Sequence, residues 1–362
     1  MNKPTIRFKG FEGEWKDSML SDFSYSICSG RDTAHKGIYP LYGSTGIIGT
    51  TNKPSYNGAM FLVARVGANA GKLQIINEEC GVSDNTLIIK PNGNISVSWL
   101  YYYLVHCNLN HLVYGSGQPL ITGYMLKRIP ILLGSKKECD EIASYFTSLD
   151  AQIAASTSRL SSLKQIKAAS LLNMFPQKGE MVPRVRFKGF QGEWKEIKLG
   201  EIFSVEIGEF VIKTKQKNNA PYPVYNGGVS NTGFYDCYNQ EGPKIIVSAR
   251  GANAGYVNYC TTDFWAGNSC YSIGAKNNDE LKFFFYFLKR FQEIYMKNQY
   301  SASIPSISKQ QILRTNLIYP SLPEQRAIAS YFTALDAQIT LQRERLEKLK
   351  QIKAACLEKM FV

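Results

Sequence analysis

The residues that invite a chemical reading lie in two glycine-flanked segments, Arg65-Val-Gly67-Ala-Asn-Ala-Gly71-Lys72 and Arg250-Gly251-Ala-Asn-Ala-Gly255-Tyr256. A glycine-rich loop closed by a lysine is the form of a phosphate cradle, in which backbone N–H groups and the ammonium hold a nucleotide. The spacing does not fit. GxxxxGK[ST] needs four residues between the glycines and a hydroxyl after the lysine; here three residues intervene, Leu73 follows, and Tyr256 replaces the lysine in the second segment. The pattern instead predicts a tight turn after a strand, with Gly71 and Gly255 allowing close backbone approach. Arg65 and Arg250 remain as candidates for contact with phosphate.

Other catalytic constellations are missing. The eight cysteines form no CxxC pair and the three histidines no HExxH, so neither a metal site nor a disulfide framework is expected. The thiols read as small buried or half-buried residues. Nucleophile-elbow, kinase, deaminase and [DN]PP[YF] amino-methyltransferase motifs are absent as well. No catalytic residue is assigned, and chemistry linked to this chain is expected to reside in another subunit.

The elements that must position the arginines come into view through an internal repeat. Arg7 to Lys16 reads RFKGFEGEWK and Arg186 to Lys195 reads RFKGFQGEWK. IASYFTSLDAQI at 142–153 returns as IASYFTALDAQI at 328–339, and LKQIKAA at 163–169 returns intact at 349–355. Between these anchors the match is weaker but collinear. With 362 residues, 44% of them hydrophobic, the chain is too long for one ordinary core and too apolar for a disordered one. The net charge of +13 is spread over both halves and suits a polyanionic partner. No long apolar run or signal-type leader is found, so a cytoplasmic location is expected.

Residues 135–175 and 324–362 contain neither Gly nor Pro and should be long helices. Each opens with a capping-box pattern, Ser135-x-x-Glu138 and Ser321-x-x-Glu324. Leu149, Ile153, Leu160, Leu163, Ile166 and Met174 in the first, and Leu335, Ile339, Leu346, Leu349, Ile352, Cys356 and Met360 in the second, space out as a coiled-coil seam. Lys164, Lys167, Lys350 and Lys353 read as a solvated face. The aromatic runs Trp99–Leu104 and Phe283–Leu288 read as buried helices. The resulting division is a first globular domain at 1–134, a long helix at 135–175, a linker at 176–185, a second globular domain at 186–320 and a second long helix at 321–362.

Two variable basic domains, each followed by a long coiled-coil helix carrying (P-E-Q)-x-x-I-A-x-x-[FL]-x-x-L-D-x-x-I and then L-K-x-x-K, resemble the specificity subunit of type I restriction-modification systems. Pro323-Glu324-Gln325, Ile328-Ala329, Leu335-Asp336 and Ile339 fit that pattern, as do the RFxGFxGEW segments; Lys137-Glu138-Cys139 departs from it. The resemblance covers essentially the whole chain. It implies an α+β fold: two similar α/β target recognition domains, each followed by a long helix, with the two helices forming an antiparallel coiled coil. It further implies that each domain reads one half of a bipartite, asymmetric site on double-stranded DNA. The helices would dock two methyltransferase subunits that carry S-adenosylmethionine and methylate adenine N6. A restriction (motor) subunit using ATP and Mg would complete the assembly, with no cofactor in this chain.

If the two domains read different half-sites, shared residues should be scaffold or backbone contact and divergent ones should read bases. The divergent segments are 29–36 against 209–219, and 114–122 against 298–306. From them the base-reading candidates are Arg31, His35, Lys36, Ser116 and Gln118 in the first domain, and Lys213, Lys215, Lys217, Asn298, Gln299, Tyr300 and Ser303 in the second. For partner docking the candidates are Leu160, Leu163, Ile166, Leu346, Leu349 and Ile352. Two other readings stay open at this level: a stand-alone DNA-binding regulator or antirestriction decoy, and a coiled-coil adaptor that binds no DNA.

Overall fold

The computed structural model describes residues 2–114, 119–275, 280–297 and 305–362. Two compact units divide the chain, Met1–Ser158 with Glu344–Val362, and Arg159–Arg343. The division cuts through both long helices, so each unit takes the first part of one helix and the last part of the other. The sequence boundaries at 134/135 and 320/321 follow where globular texture gives way to helix. The units follow tertiary contacts.

The first unit contains β1 (Lys16–Met19), β2 (Ser24–Ser29), β3 (Tyr39–Gly43), β4 (Gly46–Thr51), β5 (Ala59–Ala64), β6 (Leu73–Asn77), β7 (Gly81–Val82), β8 (Thr86–Pro91), α1 (Val97–His106) and β9 (Pro130–Leu133), followed by the first long helix, α2 (Lys136–Asn173). An antiparallel sheet runs in the order β2-β8-β5-β6, a smaller one in the order β4-β3-β7, and β1 pairs with β9. The unbroken apolar run of β5 follows from burial on both faces. Because side chains alternate across a strand, Phe61 and Val63 enter the main core with Trp99, while Met60 and Leu62 enter a second cluster with Tyr42, Cys80 and Val82.

The second unit repeats this plan with β10 (Lys195–Lys198), β11 (Phe203–Ile207), β12 (Tyr222–Tyr225), β13 (Gly233–Tyr235), β14 (Lys244–Ser248), β15 (Val257–Cys260), β16 (Trp265–Ala266), β17 (Cys270–Ala275), α3 (Leu281–Lys297), β18 (Asn316–Tyr319) and the second long helix, α4 (Leu322–Lys359). Its sheet orders are β11-β17-β14-β15, β13-β12-β16 and β10-β18. In both units the short central strand pairing, β3 with β7 and β12 with β16, is parallel. The aromatic runs are helical and buried as expected: Trp99, Tyr102 and Tyr103 on α1, and Phe283, Phe284, Tyr286 and Phe287 on α3. They form core and are closed to base stacking.

The capping-box expectation holds only in part. Ser135 Oγ accepts from Glu138 N at 3.2 Å, but the Glu138 carboxylate does not turn back to the helix start. It is fully buried and accepts two bonds from Arg7, Nε at 2.6 Å and Nη2 at 2.8 Å, and one from Trp15 Nε1 at 3.2 Å. The same guanidinium donates to Gly13 O and Glu12 O. Glu138 holds the Arg7 pKa above its ordinary value through this bonding. In the second unit Arg186 binds Glu324 at 2.7 and 2.8 Å and reaches Gly192 O and Gln191 O. The RFxGFxGEW segment is therefore a latch, closed by a bidentate pair onto the first turn of each long helix.

Ion pairs also overturn the solvated reading of two lysines. In the first unit Lys353 meets Asp150 at 2.5 Å, and Tyr102 OH donates to the other carboxylate oxygen at 2.8 Å. In the second unit Lys167 meets Asp336 at 2.5 Å, with Tyr286 OH at 2.9 Å. These contacts explain the aspartate of the L-D motif and the second lysine of K-x-x-K. Within each unit the helix segments run antiparallel: Tyr145 faces Cys356 where Asp150 faces Lys353, and Ser170 faces Tyr331 where Lys167 faces Asp336. Lys164 is exposed, as is Lys350, which pairs with Glu347.

Beyond each long helix a phenylalanine completes a core. Phe361 sits among Trp15, Trp99, Tyr103, His106 and Phe146, and Phe175 sits among Trp194, Phe283, Phe287 and Phe332. Each unit thus uses the tail of the other repeat's helix. The cysteine expectation holds for six of the eight thiols; Cys28 and Cys237 are exposed.

Candidate nucleic-acid interface

The GANAG turns do what their glycines predict. Gly71 and Gly255 have φ of +85° and +87°. A Cβ at Gly71 would lie 2.8 Å from Asn110 N, and one at Gly255 would lie 2.9 Å from the Tyr295 backbone carbon. Neither position admits a side chain, which is why both repeats keep the same turn.

Backbone hydrogen bonds gather the divergent loops and the arginine that precedes each GANAG turn at one end of the main sheet. In the first unit Gly30 N donates to Thr86 O and Arg65 N to Asn85 O, both at 2.9 Å. Ile121 N donates to Arg65 O at 2.9 Å and Gly67 N to Pro119 O at 3.0 Å. The roots of the loops at 30–36 and 114–121 therefore flank Arg65. The second unit repeats these backbone bonds, Gly208 N to Cys270 O at 3.2 Å, Ala249 N to Ser269 O at 2.8 Å, Ile307 N to Ala249 O at 2.9 Å and Gly251 N to Pro305 O at 2.9 Å, but with Ala249 in the place of Arg65; Arg250 stands one position nearer the turn, bridging Ser306 as Val66 bridges Leu120.

Arg31, His35 and Lys36 are exposed on a loop pinned by Asp32, whose Oδ2 accepts from Val82 N at 2.8 Å. The His35 ring lies 3.0 Å from Thr33 Oγ1. Arg65 is half-buried, and its Nε has no hydrogen-bond partner among the described residues; Arg250 is exposed. Lys213, Lys215 and Lys217 are exposed, and Lys217 is tied to Asp236, which leaves two of the three as free cations among the described contacts. Ser116, Gln118, Asn298, Gln299, Tyr300 and Ser303 lie outside the described residues.

The docking candidates separate into two groups. Leu160, Leu163 and Leu346 are buried, and Leu349 packs against the first unit's core, so all four belong to internal packing. Ile166 and Ile352, at equivalent positions of the two repeats, are 48% and 36% exposed and remain available to a partner.

The type I restriction modification DNA specificity domain matches the chain twice, over residues 12–165 and 191–351. The chain belongs to the type I restriction-modification DNA specificity family. It is a specificity subunit, and its two repeats are two DNA specificity domains. Among relatives, it is 23% identical over 303 residues to a putative type I specificity subunit of Mycoplasma genitalium, covering 82% of this chain and 79% of that one. It is 24% identical over 176 residues to the EcoprrI specificity subunit of Escherichia coli, covering 46% and 43%. The fold is also that of the crystal structure of a type I restriction-modification S subunit from M. genitalium, with a TM-score of 0.75, 20% identity and 99% of each chain covered. No described helix is long and apolar enough to cross a membrane.

Sequence reasoning missed the arginine latch and the aspartate–lysine pairs. Their only sequence signal is recurrence: Arg7 with Glu138, and Asp150 with Lys353, return as Arg186 with Glu324, and Asp336 with Lys167. Recurrence marks such residues as needed without telling which bind each other.

Proposed function

We propose that this specificity subunit reads a bipartite, asymmetric site on double-stranded DNA, one half-site per repeat, and catalyses nothing itself. The observation that supports this most is the repeated geometry at the sheet ends, where a GANAG turn, preceded in each repeat by an arginine at positions offset by one residue, is flanked by loops that differ between repeats. A cation placed beside the variable loops of each repeat suits backbone contact next to base readout. Adenine-N6 methylation is carried by two methyltransferase subunits that hold S-adenosylmethionine, and cleavage by restriction subunits that use ATP and Mg. Of the six docking candidates, Ile166 and Ile352 are the two left exposed to receive the methyltransferases.

The test is a map of N6-methyladenine in a methylation-free host that expresses the chain with its methyltransferase, against the methyltransferase alone. A new motif of two short half-sites around a fixed spacer is expected. Absence of new methylation from soluble, copurifying proteins overturns the reading.

A further inference from the structure

A third loop reaches the sheet end that carries the arginines. It is the hairpin of the smaller sheet, joining β3 to β4 in the first unit and β12 to β13 in the second. Strand register makes the two hairpins equivalent, since Tyr39 opens β3 opposite Thr51 and Tyr222 opens β12 opposite Tyr235. In the first unit the ladder runs on to Gly43 opposite Gly46 and closes over Ser44 and Thr45. In the second it stops at Val224 opposite Gly233, which leaves residues 226–232, NGGVSNT, as loop. Both hairpins lean on the strand that leaves the GANAG turn, at the third residue past its last glycine. A Cβ on Gly46 would lie 3.9 Å from Gln74 Oε1, and Asn258 Nδ2 donates to Gly228 O at 3.4 Å.

The loop of the second repeat is held by both of its limbs. On the outgoing limb Asn226 Oδ1 accepts from Ser269 N at 3.1 Å and Ser248 Oγ donates to Gly228 O at 3.0 Å. A Cβ on Gly227 would lie 3.1 Å from Arg250 O, so this limb is pressed against the arginine's own backbone. On the returning limb Gln216 Nε2 donates to Thr232 Oγ1 at 3.3 Å and Lys217 N donates to Phe234 O at 2.9 Å. These bonds tie it to the segment that carries the exposed Lys213 and Lys215. Between the limbs the tip is left in solvent, with Val229 51% exposed and Ser230 exposed beside it. The loop thus stands between Arg250 on one limb and the lysine segment on the other, and it contains no charged residue itself.

A DNA groove presents the complementary pattern, two rows of phosphate with base edges between them. Cations beside each limb suit the phosphates, and a neutral tip suits the bases. A serine hydroxyl can bond to donor or acceptor on a base edge, and valine methyls can pack on the methyl of thymine in the major groove. The tip also differs between the repeats, GSTGII against NGGVSNT, as a reader of unequal half-sites must. We infer that the Val229–Ser230 tip enters the major groove and reads one base position of the second half-site, separately from the cationic loop at 209–219. The inference rests on the proposed DNA-reading role.

The experiment uses the chain assembled with its methyltransferase. Affinity is measured for a duplex carrying the mapped site and for a panel in which each base pair of both half-sites is replaced in turn. V229A/S230A should weaken binding to the mapped site about tenfold, the size of one lost base-pair contact. All bases at one position of the second half-site should then bind alike, with discrimination in the first half-site and the salt slope unchanged. S230T, which keeps the hydroxyl, should keep most of the discrimination. Both side chains are exposed, so neither change empties a core. Wild-type discrimination in V229A/S230A overturns the inference. An equal loss for every sequence with a lowered salt slope also overturns it and makes the tip a phosphate contact. Loss of methyltransferase copurification with normal discrimination overturns it as well, and assigns the tip to a protein contact. Alanine at Lys213 and Lys215 together separates the two levels. A salt slope lowered by about 2 with V229A/S230A silent retains DNA reading and rejects the tip; no change in either rejects both.

Discussion

Phe361 and Phe146 lie nearly face to face, ring centroids 5.7 Å apart and planes 18° from parallel. Phe175 and Phe332 repeat the pair at 5.9 Å and 17°. Phe361 comes from the tail that follows α4 and Phe146 from the start of α2, so the first unit's core contains a residue that its own repeat does not supply. Phe361→Ala should therefore destabilise the first unit by about 3–5 kcal/mol, the usual cost of emptying an aromatic site in a packed core. Denaturant unfolding followed by the fluorescence of Trp15 and Trp99, which both border Phe361, would read this out; a change under 1 kcal/mol would mean the ring is not structural.

The arginine latch makes a sharper claim. Arg7→Met leaves the Glu138 carboxylate buried without its cation, a situation that costs about 3–5 kcal/mol. Adding Glu138→Gln removes the uncompensated charge and should recover about half of that. If the double variant is no more stable than Arg7→Met alone, the pair is not acting as an ion pair.

Lys289 gives a pH-dependent prediction. Its ammonium donates to Val257 O and Gln292 Oε1, each at 2.7 Å, and lies 3.9 Å from the Tyr256 ring centroid. Burial, with a smaller contribution from Lys167, pushes its pKa down to about 8 from 10.5. A lowered folded pKa means the unfolded chain binds more protons between these values, so stability rises with pH across that window. Compared with Lys289→Met, the wild type should gain on the order of 2 kcal/mol from pH 8 to 10.5, allowing for partial solvent exposure. Taking the difference removes the opposing titration of buried thiols such as Cys270, whose pKa burial raises to about 12. A pH-independent difference would show that Lys289 does not titrate there.

For Arg65 and Arg250 the expectation is contact with phosphate. Arg65→Ala and Arg250→Ala should each lower affinity for every DNA sequence alike and reduce the salt slope by about one. Relaxed recognition at one base position would instead make that arginine a base reader.

Much of this fold can be read from the sequence because its signals are local. The Gly- and Pro-free stretches become α2 and α4, the aromatic runs become α1 and α3, and GANAG becomes a turn that tolerates no Cβ at Gly71 or Gly255. What stays hidden depends on partners distant in the chain. Glu138 fits a capping box by spacing, yet its carboxylate is taken by Arg7, which lies 131 residues away. Lys167 and Lys353 look like solvated lysines until Asp336 and Asp150 are placed opposite them. Helical periodicity likewise groups Leu163 with Ile166, although one is buried and the other faces solvent. For the interface, divergence between the repeats located the loops; only the backbone ties to Asn85, Thr86, Ser269 and Cys270 reveal that they share a sheet end with the arginines.

The reciprocal tails have a consequence for inheritance. Phe175 and Phe361 offer the same ring to similar aromatic boxes, and Arg7 and Arg186 offer the same guanidinium to equivalent glutamates, Glu138 and Glu324. A genetic crossover within the nearly identical RFKGFxGEWK or IASYFTxLDAQI segments would exchange an entire body between alleles and still leave latch, ion pair and tail pocket matched. New DNA preferences can then spread by shuffling whole halves, without any compensating change in the framework.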